Sequence, residues 1–209
     1  PPPRGTPGDV VLSVENVTTE AVPHPASLQV RAGEIVGVAG MVGSGRTELA
    51  RAIFGADPLK SGRIIVKGRE VRSGSPRRAI SQGIVLVPED RKNQGLFMGQ
   101  PIRNNVTIAV LDRLTRRGMI DRRAEAETIE HAQQSLSIHM ASPEQEVQYL
   151  SGGNQQKVVL ARWLEPAPSV VILDEPTRGI DVGAKFEIYG LIRELTSHGV
   201  AVLMISSEL

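Results

Sequence analysis

In the run Gly40-Met41-Val42-Gly43-Ser44-Gly45-Arg46-Thr47, Gly40 and Gly45 have four residues between them, a third glycine among these, and are followed by a basic and a hydroxyl residue. Apolar Ile35-Val36-Gly37-Val38 precedes it and Glu48-Leu49-Ala50-Arg51-Ala52-Ile53 follows, so the stretch reads as strand, tight loop and helix. Glycines let the N–H groups of such a loop turn inward on an anion, and the helix N-terminus adds its dipole. Thr47 offers a hydroxyl to a phosphate-bound Mg²⁺. Gly40, Gly43, Ser44, Gly45, Arg46 and Thr47 are therefore candidate phosphate-binding residues, and a nucleoside triphosphate is the natural ligand. Arg46 departs from the pattern, because lysine is usual at that place.

Other residues could complete the chemistry. Asp174-Glu175 closes the apolar run Val170-Val171-Ile172-Leu173, which puts both carboxylates beyond the carboxyl end of a strand, the ligand edge of a parallel α/β sheet. Asp174 is placed to hold Mg²⁺ through its water shell, and Glu175 to orient or deprotonate the attacking water. Glu89, in Pro88-Glu89-Asp90-Arg91-Lys92, follows another strand and is a further candidate at that edge. Leu150-Ser151-Gly152-Gly153 opens an amphipathic helix through Lys157, Val158, Leu160, Ala161 and Leu164. Ser151 is a good cap, and the two glycines leave N–H groups bare for a second anion.

The elements that must position these residues can be read around them. Short strands are expected at 10–14, 26–30 and 35–38, forming a small β layer. Gly62 to Val71 reads as a hairpin turning near Lys67-Gly68, Pro76 to Gln82 as a short helix, and Gly83 to Val87 as a strand. From about Gly95 to Tyr149 the strand signal is lost. Helices are expected over 102–111 and 122–138, the second with Ile129, Ala132 and Leu136 on one face, and Pro101 and Pro143 bracket this insertion. The sheet resumes at 170–173, and a helix follows with the stripe Ala184, Ile188, Leu191 and Leu195. A last strand, 200–205, leads into Ser206-Ser207. Pro1 to Gly8 reads as a proline-rich linker, and the C-terminal end as truncated.

Composition excludes several classes. A chain of 209 residues suits one large domain, or a domain with a subdomain. The net charge of +1 and the scattered pairs Arg77-Arg78, Arg116-Arg117 and Arg122-Arg123 make no basic stripe, so nucleic acid is not an expected partner. Without cysteine there is neither disulfide nor thiolate chemistry. No apolar run approaches the roughly 20 residues of a bilayer span, so any membrane role is expected to come through a partner.

Taken together, the phosphate loop, the Asp174-Glu175 strand end and Leu150-Ser151-Gly152-Gly153-Asn154-Gln155-Gln156 resemble the ATP-binding cassette (ABC) ATPase family over nearly the whole chain. Asp181 in Gly179-Ile180-Asp181 matches that family's D-loop. Pro88 to Lys92 with Gly95-Leu96, the signature Leu150 to Lys157, and Asp174 to Lys185 look like the second cassette of carbohydrate-uptake importers of the ribose, galactose and xylose type. The resemblance implies an α/β P-loop cassette with a mixed, mainly parallel sheet, an N-terminal antiparallel β layer and a helical subdomain. It assigns 1–8 to a linker, 9–94 and 158–209 to the ATP-binding core, and 95–157 to the helical subdomain. It further implies ATP and Mg²⁺ as cofactors, with Thr47, Asp174 and Glu89 toward the metal and Ser151, Gly152, Gly153 and Asp181 toward the nucleotide of a paired cassette. The implied partners are a first cassette on the same polypeptide, membrane permease subunits and, indirectly, a sugar-binding protein, at the cytoplasmic face of the membrane.

Three positions depart from that family together: Arg46 replaces lysine, Glu89 stands at the Q-loop glutamine, and Ser207 falls at the switch histidine. Arginine's planar fork does not substitute for a compact ammonium threaded along the loop, Glu89 adds negative charge, and Ser207 carries no positive charge. The segment Thr18 to Ser27 also lacks an aromatic to stack on adenine, His24 being the nearest substitute. The expectation is a site that hydrolyses weakly, while the intact signature completes the productive site. Ordinary hydrolysis with a tuned affinity and a non-catalytic regulatory half are the competing expectations, the first favoured and the second disfavoured by the retained Glu175. A DNA-processing ABC ATPase would need a long coiled coil between Thr47 and Ser151, and a GTPase an Asn-Lys-x-Asp; neither is in the sequence.

Overall fold

The computed structural model describes residues 8–41, 43–71 and 74–207. The expected linker therefore lies outside the described residues apart from Gly8, as does Val42 of the phosphate loop. β1 (Val10–Thr18) and β2 (Ala26–Arg31) pair antiparallel, β3 (Ile35–Ala39) enters the phosphate loop, and α1 (Arg46–Phe54) leaves it. β4 (Ser61–Val66) and β5 (Arg69–Val71) are the expected hairpin, completing an antiparallel sheet in the order β2-β1-β4-β5. Its turn falls on Lys67 and Gly68, with φ of 48° and 74°, the pair of positive values that a tight hairpin matched to strand twist requires.

α2 (Pro76–Ser81), capped by Ser75, leads into β6 (Ile84–Val87). The helix expected over 102–111 is broken into α3 (Ile102–Thr107), a 3₁₀ turn over Ile108–Val110, and α4 (Leu111–Leu114). The supposedly strandless stretch contains a small antiparallel hairpin, β7 (Thr115–Arg116) and β8 (Met119–Ile120), turning on Arg117 and Gly118, both at positive φ. Two-residue strands are too short to show alternation, so the pattern could not reveal them.

α5 (Arg122–Ser135) stops three residues short of the expected 138, and α6 (Gly152–Leu164) begins at the signature glycines. β9 (Val170–Asp174), α7 (Val182–Ser197) and β10 (Ala201–Ser206) follow. The buried line of α7 runs through Ile188 and Ile192, whereas Ala184, Leu191 and Leu195 are only half-buried. The expected stripe was centred one residue off the line that the i, i+4 pair actually presents inward.

Among the described residues the second sheet has the order β3-β10-β9-β6. β10 runs parallel to both neighbours, with Ser206 beside Ala39 and Ile205 beside Asp174. β6 and β9 are buried at every position, which is why they read as continuous apolar runs and not as alternating ones. No helix of the described residues is long and apolar enough to cross a membrane.

The chain divides into two compact units. The first comprises the described parts of Pro1–Leu86, Pro168–Pro176 and Gly190–Leu209; the second comprises Val87–Ala167 and Thr177–Tyr189. The second unit encloses a buried cation. Arg162, 5% exposed, donates to the carbonyls of Gly95 and Asn105 and to Asn105 Oδ1, and lies 5.3 Å over the Phe97 ring. Burial pushes its pKa down to about 10. Asn105 Nδ2 in turn donates to the carbonyls of Phe97, Gln100 and Pro101, so a single polar nucleus fixes the shape of the loop over 95–101. Asn105→Ala should lower the unfolding free energy by about 3 kcal/mol, since it removes the Oδ1 partner of a buried cation together with the amide that holds the carbonyls of Phe97, Gln100 and Pro101. Urea denaturation reads this directly, and a loss below about 0.5 kcal/mol would mean that the nucleus is not what holds the loop.

Candidate functional site

The site in the first unit is made by three strand ends. β3 delivers Gly40, β9 delivers Asp174-Glu175, and β10 delivers Ser206-Ser207 to the carboxyl edge of one parallel sheet. A Cβ on Gly40 would stand 2.8 Å from Ser44 Oγ and 3.3 Å from Arg46 Cδ, so a side chain here would push both side chains from their places over the loop. Gly45, buried at φ 85°, is the N-terminal cap of α1 and makes no side-chain bond to it. The first N–H groups of a nine-residue helix are thus left uncapped by any side chain, beside Gly43 at φ 82°. His24 is exposed; Ala21 and Val22 are the residues of the Thr18 to Ser27 segment that approach Gly45.

Arg46 does not stretch along this loop. Its side chain is 10% exposed, its Nη1 donates to the Ser206 carbonyl at 2.8 Å, and its Nη2 lies 3.9 Å from Glu175 Oε1. The same carboxylate oxygen accepts the Ser207 N–H at 2.7 Å. Glu175 itself stands at φ 45°, a left-handed conformation that non-glycine residues seldom adopt, with its N–H on the Ile205 carbonyl at 2.9 Å. Strain of this kind persists where surrounding contacts over-determine it, and here the end of β10 does so.

Asp174 is 2% exposed, and its Oδ1 is buried with no hydrogen-bond partner. Burial raises its pKa, while the Thr47 hydroxyl, hydrogen-bonded to the carboxylate, acts against that rise. A buried carboxylate oxygen left unsatisfied beside a hydroxyl is the donor set a hard cation would use. Among the described residues no group of three or more His, Cys, Asp or Glu makes a metal cage, so a cation on Thr47 and Asp174 would need phosphate or water oxygens for the rest of its shell.

The second unit holds the other candidates. Ser151 caps α6, its Oγ accepting from the Asn154 N–H and side-chain amide at 3.4 and 3.1 Å. A Cβ on Gly153 would lie 2.6 Å from Ala184 Cβ, so this glycine is what lets α6 and α7 approach. Asp181 Oδ1 accepts the Ala184 N–H at 2.9 Å at the start of α7. Glu89 is paired with the Arg178 side chain. The structure thus groups Gly40, Gly43, Ser44, Gly45, Arg46, Thr47, Asp174, Glu175 and Ser207 in one unit, and Glu89, Ser151, Gly152, Gly153 and Asp181 in the other. Sequence reasoning missed the Ser206 carbonyl as the acceptor of Arg46, and Arg178 as the partner of Glu89. These are contacts across 160 and 89 residues of chain respectively and leave no local pattern.

The ABC transporter family model matches residues 23–178. Ribose import ATP-binding protein RbsA of Bacillus subtilis is 47% identical over 99% of this chain and 42% of its own length. Ribose import ATP-binding protein RbsA 1 of Streptomyces avermitilis is 52% identical over 97% of this chain and 39% of its own. The chain therefore spans about two-fifths of the length of the curated relatives it matches. Two solved ATP-binding cassettes of ABC transporters, one of them nucleotide-free, superpose with TM-scores of 0.80 and 0.78 at 21% and 22% identity. Each covers 96% of this chain and 82% of the solved one, a likeness of fold.

Because the folded protein keeps Asp174 protonated to higher pH than the unfolded chain does, ionising it reduces stability as pH rises through the folded value. Asp174→Asn should therefore raise the thermal midpoint, measured without nucleotide at neutral pH, by about 2–4 °C, the scale of about 1 kcal/mol in a chain of this size. The gain should fade as pH falls through the raised folded value and be gone below the ordinary aspartate value of 3.8, where both states are protonated. A midpoint that falls at neutral pH would show that Oδ1 has a partner after all.

Proposed function

The chain belongs to the ABC transporter family as one of its ATP-binding cassette domains, and from that premise we propose that it is the second cassette of a monosaccharide importer. In this reading the uncapped N-terminus of α1 and the loop from Gly40 to Gly45 bind the phosphates of ATP, and Thr47 and Asp174 Oδ1 hold Mg²⁺. Bound Mg²⁺ would neutralise charge on the phosphate oxygens. Glu175 orients the attacking water, and Ser207 takes the place of the switch residue without bringing positive charge. The ATP-binding core is residues 9–94 and 158–209, and the helical subdomain 95–157 carries the signature.

The observation that carries the proposal of weak hydrolysis is the Arg46 contact with the Ser206 carbonyl at 2.8 Å, beside a Glu175 carboxylate already engaged by Ser207. Arg46 must leave that contact to meet a phosphate, and Glu175 must be freed to meet water. If each lost preorganised contact costs about 3 kcal/mol, or roughly a hundredfold in rate, this site turns over slowly while still binding nucleotide. Ser151, Gly152 and Gly153 then complete the productive site, on the phosphate loop of a first cassette carried by the same polypeptide. More than half of each named relative lies outside the match, which is room for that cassette. The same Arg46 contact favours a second reading, a purely regulatory nucleotide-binding half; the retained Glu175 argues against it.

The relatives' names point to ribose as the transported sugar. A groove of about 450 Å³ in the second unit, lined by residues including Phe97, Asn104, Thr107, Ile108 and Leu111, supports a membrane permease as the partner of the helical subdomain. Phe97 is 50% exposed there. Glu89 enters this reading as a carboxylate held by Arg178 just ahead of that groove in sequence. The domain would act as a peripheral subunit at the cytoplasmic face of the membrane, with a sugar-binding protein reached only through the permease.

Turnover of MgATP by the complete polypeptide with its permease tests the asymmetry. Gly152→Asp should abolish it, by roughly a hundredfold or more, while Glu175→Gln should leave most of it. Equal loss in both variants would mean that the Arg46 site hydrolyses or is obligatorily coupled to the other. Arg46→Lys should tighten MgATP binding at this loop by about three- to tenfold, because the Ser206 contact no longer has to be broken first. Titration with a fluorescent nucleotide measures this, and unchanged or weaker binding would remove Arg46 from the explanation.

A further inference from the structure

The segment that follows β6 carries two side chains directed at one short loop. Glu89 pairs with the Arg178 side chain, and Arg91 holds that loop's backbone. Arg91 Nη1 donates to the Arg178 carbonyl at 3.0 Å and Nη2 to the Gly179 carbonyl at 3.2 Å. Its third donor, Nε, reaches Gln155 Oε1 on α6 at 3.4 Å. Gln155, itself buried, donates through Nε2 to the carbonyls of Val147 and Leu150 at 3.3 and 3.2 Å. One guanidinium therefore links the backbone ahead of Asp181 to the turn ahead of Ser151.

The base of this side chain is held as well. Arg91 heads a single π-type turn, Arg91–Gly95, closed by the Gly95 N–H on the Asp90 carbonyl at 3.3 Å. The Asp90 carboxylate caps it by accepting the N–H groups of Lys92 and Asn93, both at 3.1 Å, and the Asn93 side-chain amide at 2.7 Å. The guanidinium also lies against the signature. A Cβ on Gly152 would stand 2.9 Å from Arg91 Nη2 and 3.3 Å from the Gly179 carbonyl. A side chain at 152 would displace the fork from its place between the signature and this loop. Three acceptors spread in this way suit a planar guanidinium with fixed donors, and not the compact ammonium of lysine.

We infer that Arg91 is a positioning residue that locks the loop over 178–181 and the signature turn over 150–153 into one rigid piece, so that Asp181 and Ser151-Gly152-Gly153 are presented together. The inference rests on the proposal above that the signature completes the site of another cassette. Nothing in it requires the Arg46 site to be active or silent.

The test uses the complete polypeptide with its permease, comparing the parent with Arg91→Ala and Arg91→Lys in steady-state ATP turnover and in amide hydrogen exchange. Arg91→Ala should lower kcat about tenfold or more with KM for MgATP within about twofold, because what is lost is alignment and not nucleotide affinity. Amides of 150–153 and 178–181 should lose protection together. Arg91→Lys, the milder change, should lose at least about threefold in kcat, since one ammonium cannot span the three acceptors. The inference fails if either variant keeps the parental kcat within about twofold, if KM rises in step with the loss of kcat, or if only one segment loses protection. Should Arg91→Ala not fold, the lysine variant decides by the same criteria. A parent polypeptide indifferent to Gly152→Asp would instead overturn the proposed role of the signature, and would leave the linked exchange of the two segments to stand or fall on its own.

Discussion

The parallel register of β3, β10 and β9 is the constraint on which the nucleotide-site geometry depends. With Ser206 beside Ala39 and Ile205 beside Asp174, three strands end together, and the residues just beyond them leave the sheet at one edge. The phosphate loop, the carboxylate pair and the end of β10 are then neighbours although they come from distant parts of the chain. A slip of one residue would turn Asp174 to the opposite face of the sheet and separate it from Thr47. Burial on both faces of β6 and β9 makes such a slip costly, so the hydrophobic effect that builds this sheet also aligns the site.

A second theme is how the protein holds cations on backbone carbonyls. Arg46 is held by the Ser206 carbonyl, Arg91 by the carbonyls of 178 and 179, Arg162 by those of Gly95 and Asn105, and Lys157 by that of Ser137 together with Glu187. Each contact ties together segments that are distant along the chain. Bonds of this kind are directional, and the guanidinium's fixed fork makes them specific about backbone geometry in a way that apolar packing is not. Losing one of them leaves a charge in a poor environment as well as a loop without its anchor. Within the first unit these bonds fix the phosphate-loop helix to the end of β10, and within the second they fix the loop before Asp181 and the signature helix.

Much of the fold was legible in the sequence. Apolar runs bounded by turn residues marked the strands, and Lys67-Gly68 marked a turn that structure places at two successive positive φ values. The helical insertion followed from the same signals, and the antiparallel layer from the family resemblance, but the strand at 35–39, expected in the small β layer, belongs to the parallel sheet beside β10, a pairing across the chain that no local pattern reveals. What escaped was short or three-dimensional. The hairpin at 115–120 has too few residues per strand to alternate, and the inward line of α7 was displaced from Leu191 to Ile192 because the surrounding packing, not the pattern alone, selects a face.

The amino-acid sequence by itself determined the kinds of group available and where along the chain they stand. A glycine loop before a helix, a carboxylate pair after a buried strand, and a capped glycine pair before a second helix are local arrangements, set by φ and ψ preferences and by side-chain chemistry a few residues apart. Tertiary structure alone decided which groups engage one another: that Arg46 turns to the Ser206 carbonyl, that Glu175 Oε1 accepts the Ser207 N–H, that Asp174 Oδ1 is left without a partner, and that Arg91 grips the backbone at 178–179. The reason is physical. Hydrogen bonds and burial depend on distance in space, and only the packed sheet and helices bring together atoms that the chain itself keeps far apart.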